Sequence, residues 1–246
     1  MTSHSPMLPI GAVAELWRYP VKSMRGERLQ TASFDLSGMV GDRRYAVVST
    51  AAPVGKPLVT SRERTRLLLY APKLTPTPTV TTPEGLRLPL PSEALVTHLQ
   101  QHLADPEATL ELEYSPEKPL TDVRALSFIS RATLDFLGQE LGAAFTPQRL
   151  RNNLILTLND PTPFAEESLE GQTLRFGEGQ GAPILRIHER IPRCRIITLD
   201  PETAEVDQTL LRYLAKRRQG RIAMYATVLH PGTIPEGSRV FLSARA

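Results

Sequence analysis

Thiol chemistry has a single seat in this chain, because only Cys194 among 246 residues is a cysteine. One cysteine excludes an intrachain disulfide, a cysteine-rich zinc site and a four-cysteine iron–sulfur cluster. A Gly-x-Gly-x-x-Gly or Walker-type loop is also missing, so a nucleotide cofactor lacks its usual phosphate cradle. There is no Gly-x-Ser-x-Gly elbow, and the carboxylates are scattered without an obvious acid–base couple. No apolar run approaches the ~18 residues of a membrane span, and no basic-then-apolar leader follows Met1. Charge of one sign is scarce too: Lys+Arg 29 against Asp+Glu 26 leaves a net +3, with no nucleic-acid-binding motif beside it. These absences predict a cytoplasmic protein that neither spans a membrane nor binds nucleic acid.

Proline is plentiful instead, at 22 residues, well above an ordinary share of ~5%. Proline breaks long helices and favours short strands and turns. Strand patterns run over 11–19, 29–36, 44–49, 153–158, 172–176, 182–188, 195–199, 222–229 and 238–242, and 66–70 is a short apolar run. The Thr/Pro-rich stretch 73–83 must be extended or irregular, since Pro76, Pro78 and Pro83 cannot occupy a central strand. Three helices are expected. Ser92 caps the first, over 92–104, with Leu95, Val96, Leu99 and Leu103 at helical spacing. Ser130 caps the second, 131–141, which stops at Gly142, and the third spans 209–218 and ends at Gly220. His98 and His102 lie four apart on the first helix, a spacing that can bind metal; without the Glu of a zinc-protease motif, a solvated helix face is the expectation. The loop-like Ser115–Pro119 suggests a boundary between residues 1–118 and 119–246. The fold class is mixed α+β and strand-rich, closer to a curled sheet or barrel with a few helices than to a βαβ array.

Candidate chemistry gathers at strand ends. Cys194 stands between Arg193 and Arg195, and a positive setting favours the thiolate that attacks electrophiles and binds soft metals. An inert, buried small hydrophobe is the competing reading of a free cysteine. Three basic clusters accompany it: Tyr19-Pro20-Val21-Lys22-Ser23, Gly41-Asp42-Arg43-Arg44 and Leu150-Arg151-Asn152-Asn153. Lys, Ser and Arg at strand ends can grip a phosphate, since guanidinium forks match its oxygens. Each cluster, taken singly, also reads as a solvated turn.

Together these segments resemble the two-domain MOSC proteins, an N-terminal MOSC β-barrel domain followed by a MOSC (molybdenum cofactor sulfurase C-terminal) domain. Within that group the amidoxime-reducing branch is the nearest likeness. It is carried by Tyr19-Pro20-Val21-Lys22-Ser23, Gly41-Asp42-Arg43 and Thr60-Ser61-Arg62. The second half adds Phe128-Ile129-Ser130-Arg131, Arg151-Asn152-Asn153, Pro163-Phe164-Ala165-Glu166-Glu167, Arg193-Cys194, Asp200-Pro201-Glu202-Thr203 and Pro231-Gly232-Thr233-Ile234. The resemblance implies a MOSC β-barrel domain with a smaller N-terminal β-rich domain and a molybdenum cofactor (molybdopterin) in a cleft between them. Cys194 would ligate molybdenum and be the catalytic residue. Lys22, Ser23, Arg43, Arg62, Ser130, Arg151 and Asn153 would bind the cofactor.

The chemistry implied is removal of oxygen from N-hydroxylated or N-oxide small molecules. With no cysteines for an iron–sulfur cluster, the electrons would come from a separate ferredoxin- or flavoprotein-type donor, for which the slight basic excess suits an acidic partner. The alternatives are a non-catalytic carrier for the molybdenum cofactor or its sulfur, and a thiol protein that forms a Cys194 persulfide or mixed disulfide. Three positions depart from the family pattern: Asn152 replaces a proline, Met24 a common second cysteine, and Ala204 a glycine after Asp200-Pro201-Glu202-Thr203. That last segment reads as a turn in which Asp200 bonds its own backbone, which makes Asp200 structural. Alanine suits φ > 0 poorly, so a different turn is expected there.

Overall fold

Period-two alternation in the second half of the chain produces a barrel. Leu126/Phe128, Leu154/Leu156, Leu174/Phe176, Leu185/Ile187 and Met224/Ala226/Val228 all point inward and are buried together. The computed structural model describes residues 7–51, 58–105, 107–142, 145–179 and 181–243. In chain order its elements are β1 (Leu8–Arg18), β2 (Glu27–Leu29), β3 (Thr31–Asp35), β4 (Gly38–Met39), β5 (Tyr45–Ser49), β6 (Leu58–Val59), β7 (Ala71–Lys73), β8 (Thr79–Thr81), β9 (Arg87–Pro89), α1 (Glu93–Leu103), β10 (Leu110–Tyr114), β11 (Leu126–Ser130), α2 (Arg131–Leu141), β12 (Leu154–Leu158), β13 (Thr173–Phe176), β14 (Ile184–Pro192), α3 (Thr209–Arg218), β15 (Arg221–His230), β16 (Gly232–Pro235) and β17 (Arg239–Ser243).

Among the described residues, seven strands close in the order β12-β11-β15-β14-β13-β17-β1, with β1 returning to β12 and β2 added beyond β1. An odd ring cannot be wholly antiparallel. Six antiparallel pairings restore the starting direction, so the seventh must be parallel. That pair is β11–β12, and α2 supplies the crossover a parallel pair requires. The first strand of the chain therefore completes a barrel built otherwise from the second half. β3, β4 and β16 form a small sheet whose Ala32, Phe34, Met39 and Ile234 join the barrel core.

The other face of the same strands is also used. Ile129 and Ile155, out of phase with Phe128 and Leu154, pack outward with Leu134 and Leu137 of α2 and Leu210 and Leu214 of α3. The remaining N-terminal segment has its own core, in which Val47, Tyr70, Val80, Leu95, Leu99, Leu103 and Leu110 pack with Val21 and Met24. Its sheet β7-β8-β9 keeps proline out of the central strand: Pro72 and Pro89 lie on the flanking β7 and β9.

The three helices follow their sequence signals, with Ser92 Oγ accepting from Leu95 N at 3.1 Å and Ser130 Oγ from Thr133 N at 3.1 Å. Two expectations are corrected. Residues 195–199 are not a strand: Arg195–Thr198 is a 3₁₀ turn that buries Ile197 and Thr198, and its β-branched residues imitate a strand pattern. His98 is not on a solvated face, because its ring is buried against Tyr70. Among the described residues no helix is long and apolar enough to cross a membrane.

Candidate functional site

The turns leaving β1 and β6, the turn entering β5, the segments leading into β11 and β12, and the end of β14 converge on one cleft. Lys22, Ser23, Arg43, Arg62, Arg151, Asn153 and Cys194 all line it, and the space they enclose is about 830 Å³ when its open mouth is included. Arg124 and Arg193 add to its cations, and among the described lining residues the acidic member is Asp122.

The floor is organised by a carboxylate beneath it. Asp42 is fully buried. Its Oδ1 accepts from Tyr19 N at 2.8 Å and from Asn153 Nδ2 at 3.1 Å, and its Oδ2 accepts from Arg43 Nη1. The guanidiniums of Arg43 and Arg151 both lie over the Tyr19 ring, at 4.7 and 4.4 Å from its centroid. Arg43 Nη2 donates to the Arg151 carbonyl at 3.2 Å, whereas Arg151 Nη2 is buried with no hydrogen-bond partner. Burial, then the charge of Arg43, lowers Arg151 to about 10. Burial likewise lowers Arg193 to about 10, and its Nη2 donates to the Leu150 carbonyl at 2.6 Å. Burial raises the Tyr19 phenol to about 12.

The backbone beneath these side chains is strained. Ser23, Arg43 and Arg151 hold φ of 69°, 49° and 54°, a region that costs a residue with a Cβ about 1–2 kcal/mol. Strain of this kind concentrates where side chains must be aimed at a ligand.

The rim is different. Asp122 Oδ1 accepts from Lys22 Nζ at 2.5 Å, and its Oδ2 lies 3.5 Å from Arg62 Nη1. Burial pushes the Asp122 carboxyl up, but the hydrogen bond and charge of Lys22, with Arg62 and Arg43, outweigh this and leave it below its ordinary value.

Cys194 is exposed, which excludes the inert-hydrophobe reading. Its strand reaches the cleft through irregular pairing: the β14–β15 register shifts between Ile187 and Arg190 and again before Pro192, and Ala223 opposite has φ 65°. The residues after it are pinned. Asp200 Oδ1 accepts from Glu202 N at 2.8 Å and Thr203 N at 3.1 Å, and its Oδ2 accepts from buried Arg149 at 3.3 Å, a structural role. Ala204 adopts φ 59°, so the turn keeps a left-handed position despite lacking glycine.

The MOSC domain family matches residues 115–241, and the MOSC N-terminal beta barrel domain family matches residues 10–116. The chain belongs to the MOSC family. MOSC domains are associated with molybdenum-cofactor binding and sulfurase-like functions. Among solved structures, the YUAD protein from Bacillus subtilis is 13% identical with TM-score 0.48, over 98% of this chain and 99% of that one. A hypothetical protein is 10% identical with TM-score 0.47 (97% and 70% coverage). YiiM from Escherichia coli is 17% identical with TM-score 0.37 (53% and 59% coverage). No curated protein matches the chain.

The residues of this MOSC cleft fit an anionic, thiol-ligated group. A buried guanidinium edge without a partner is costly unless an acceptor arrives, and an exposed soft donor opens onto the same space. Two sequence candidates act differently from the rest. Ser130 lies outside the cleft, where its hydroxyl donates to Glu166 at 2.7 Å as part of a buried cap. Asn153 lines the cleft, but its amide is occupied by Ser127, Trp17 and Asp42. Three contributors were not singled out from the sequence: Tyr19 as a platform, Asp42 as the buried anchor, and Asp122 as the rim counter-ion. A Gly-Asp-Arg turn is the one signal that could have pointed to Asp42.

Proposed function

We propose that this MOSC protein holds a molybdenum–pterin cofactor in the cleft and uses it to remove oxygen from N-hydroxylated or N-oxide small molecules, with electrons from a separate donor protein. The observation that carries the reading is the shared cleft of an exposed thiol and an unpaired, buried guanidinium edge. Arg151 and Arg43 would take the anionic end of the cofactor, with Ser23 beside them. Lys22 and Arg62 would contribute from the rim. Cys194 would be the protein sulfur ligand to the metal. When bound, the group supplies the two-electron oxygen-atom chemistry.

Each N–OH consumes two electrons and two protons and yields N–H and water. The open mouth admits substrate and solvent protons, while the buried floor excludes water from the anionic end. Protein from a molybdenum-replete host should oxidise reduced methyl viologen when benzamidoxime is added, and Cys194→Ser should abolish this. Full molybdenum occupancy without turnover of any N–OH or N-oxide compound would overturn the reductase reading. Exposure of Cys194 favours one other reading, a carrier that passes cofactor or sulfur onward. Transfer to an apo-acceptor without turnover would support that instead.

A further inference from the structure

The N-terminal segment carries a second cluster of ligating side chains that the cleft does not use. His98 and His102 lie one turn apart on α1, and Glu84 sits in the turn between β8 and β9. One ligand atom from each residue lies within 4.8 Å of the others. His98 Nε2 is 3.3 Å from Glu84 Oε2, and the two imidazoles are stacked at 4.1 Å.

Both rings are oriented by their other nitrogen. His102 Nδ1 lies 2.8 Å from the His98 carbonyl. A carbonyl only accepts, so Nδ1 must carry the proton, and the neutral ring presents a bare Nε2. His98 Nδ1 lies 3.1 Å from the Tyr70 hydroxyl, leaving its Nε2 toward Glu84. Arg66 holds the other carboxylate oxygen of Glu84 at 3.2 Å. Histidine ligands held through the second ring nitrogen, with a carboxylate fixed by a neighbour, are the usual outer support of a metal site.

We propose that Glu84, His98 and His102 form a site for a zinc-type divalent cation that clamps the β8–β9 turn to α1. Two imidazoles and a carboxylate suit such an ion. Tetrahedral bonds of about 2.0–2.1 Å require the three donors to draw together slightly. The exposed Glu84 and His102 would make that shift toward the buried His98. The fourth position falls to water.

The test is calorimetric titration of the full chain with Zn²⁺, alongside Cys194→Ser to remove the thiol and His102→Gln to remove an exposed ligand while the buried His98 is kept. One strong site is expected in the wild type and in Cys194→Ser, with a raised midpoint of thermal unfolding. His102→Gln and Glu84→Gln should each weaken it at least tenfold. Absence of binding, or binding that survives both substitutions, would overturn the proposal. So would binding lost only in Cys194→Ser, which would place the ion in the cleft.

Discussion

The floor and the rim of the cleft carry the same kind of charge and treat it in opposite ways. At the rim, Lys22 and Arg62 already share the carboxylate of Asp122, and that carboxylate is half open to solvent. On the floor, Arg43 is neutralised from below by Asp42, yet Arg151 keeps a buried edge with no acceptor. Charge that is paired and wet asks little of a ligand, whereas charge that is buried and unpaired is relieved only by an incoming anion. On the proposed reading, the floor is the part of the cleft that would select an anionic group, and the rim would tune how readily it enters.

The largest effect should come from the residue that holds the floor together. Asp42→Asn removes the buried counter-charge of a partly exposed Arg43, and about 3 kcal/mol, the low end for breaking a buried pair, is expected. Urea unfolding should show a loss of that order, and a loss confined to cofactor content would break the distinction between floor and rim.

Arg151→Met should separate stability from binding. It removes a buried guanidinium that faces the charge of Arg43 and has an unpaired Nη2, at the loss of its contact with the Tyr19 ring, so the unfolding midpoint should change little. Affinity for an anionic ligand such as pyrophosphate should drop by roughly 10–100-fold, the worth of a hydrogen bond to a charged group at about 1.5–3 kcal/mol. Calorimetry on the same preparation reads both.

Asp122→Asn should act with the opposite sign. It frees Lys22 and Arg62, so pyrophosphate should bind a few-fold more tightly, at a stability cost within the ~0–1 kcal/mol of an exposed pair. Weaker binding would show that Asp122 belongs to the ligand side instead.

The smallest effect is in pH. The Asp122 carboxyl lies below its ordinary value, so between its folded value and the ~3.9 of an unfolded Asp the unfolded chain binds more protons. Its contribution to stability is present above that window and is lost as pH falls through it. Asp122→Asn should flatten this acid limb of a stability–pH curve. A limb unchanged by the substitution would assign the acid loss to other carboxylates.

What the sequence made legible follows the same division between local and distant causes. All three helices are found where capping and periodicity put them, since Ser92, Ser130 and Gly142 act within a turn of themselves. The basic turns and Cys194 stand out by their residue types, and the structure brings them to one cleft. Asp122 did not stand out, because its partner Lys22 is 100 residues away and its own neighbourhood reads as linker. Tyr19 looked like the end of a strand, and its place under two guanidiniums depends on β1 closing the barrel of the other half. The run 195–199 misled for a local reason: Ile196, Ile197 and Thr198 favour strands, but the turn packs Ile196 and Ile197 on the outer barrel face while starting at an exposed Cys194. His98 was masked by its i+4 partner, since the spacing alone cannot show that Tyr70 covers the ring.

The central claim is that the Cys194 sulfur and the cationic floor together hold one molybdenum per chain. Elemental analysis with molybdenum-edge X-ray absorption, on protein from a molybdenum-replete host, tests it most directly. The prediction is about one metal per chain, with one fewer sulfur neighbour in Cys194→Ser and depleted metal in Arg151→Met. A molybdenum-free wild type, or a sulfur shell indifferent to position 194, would contradict it.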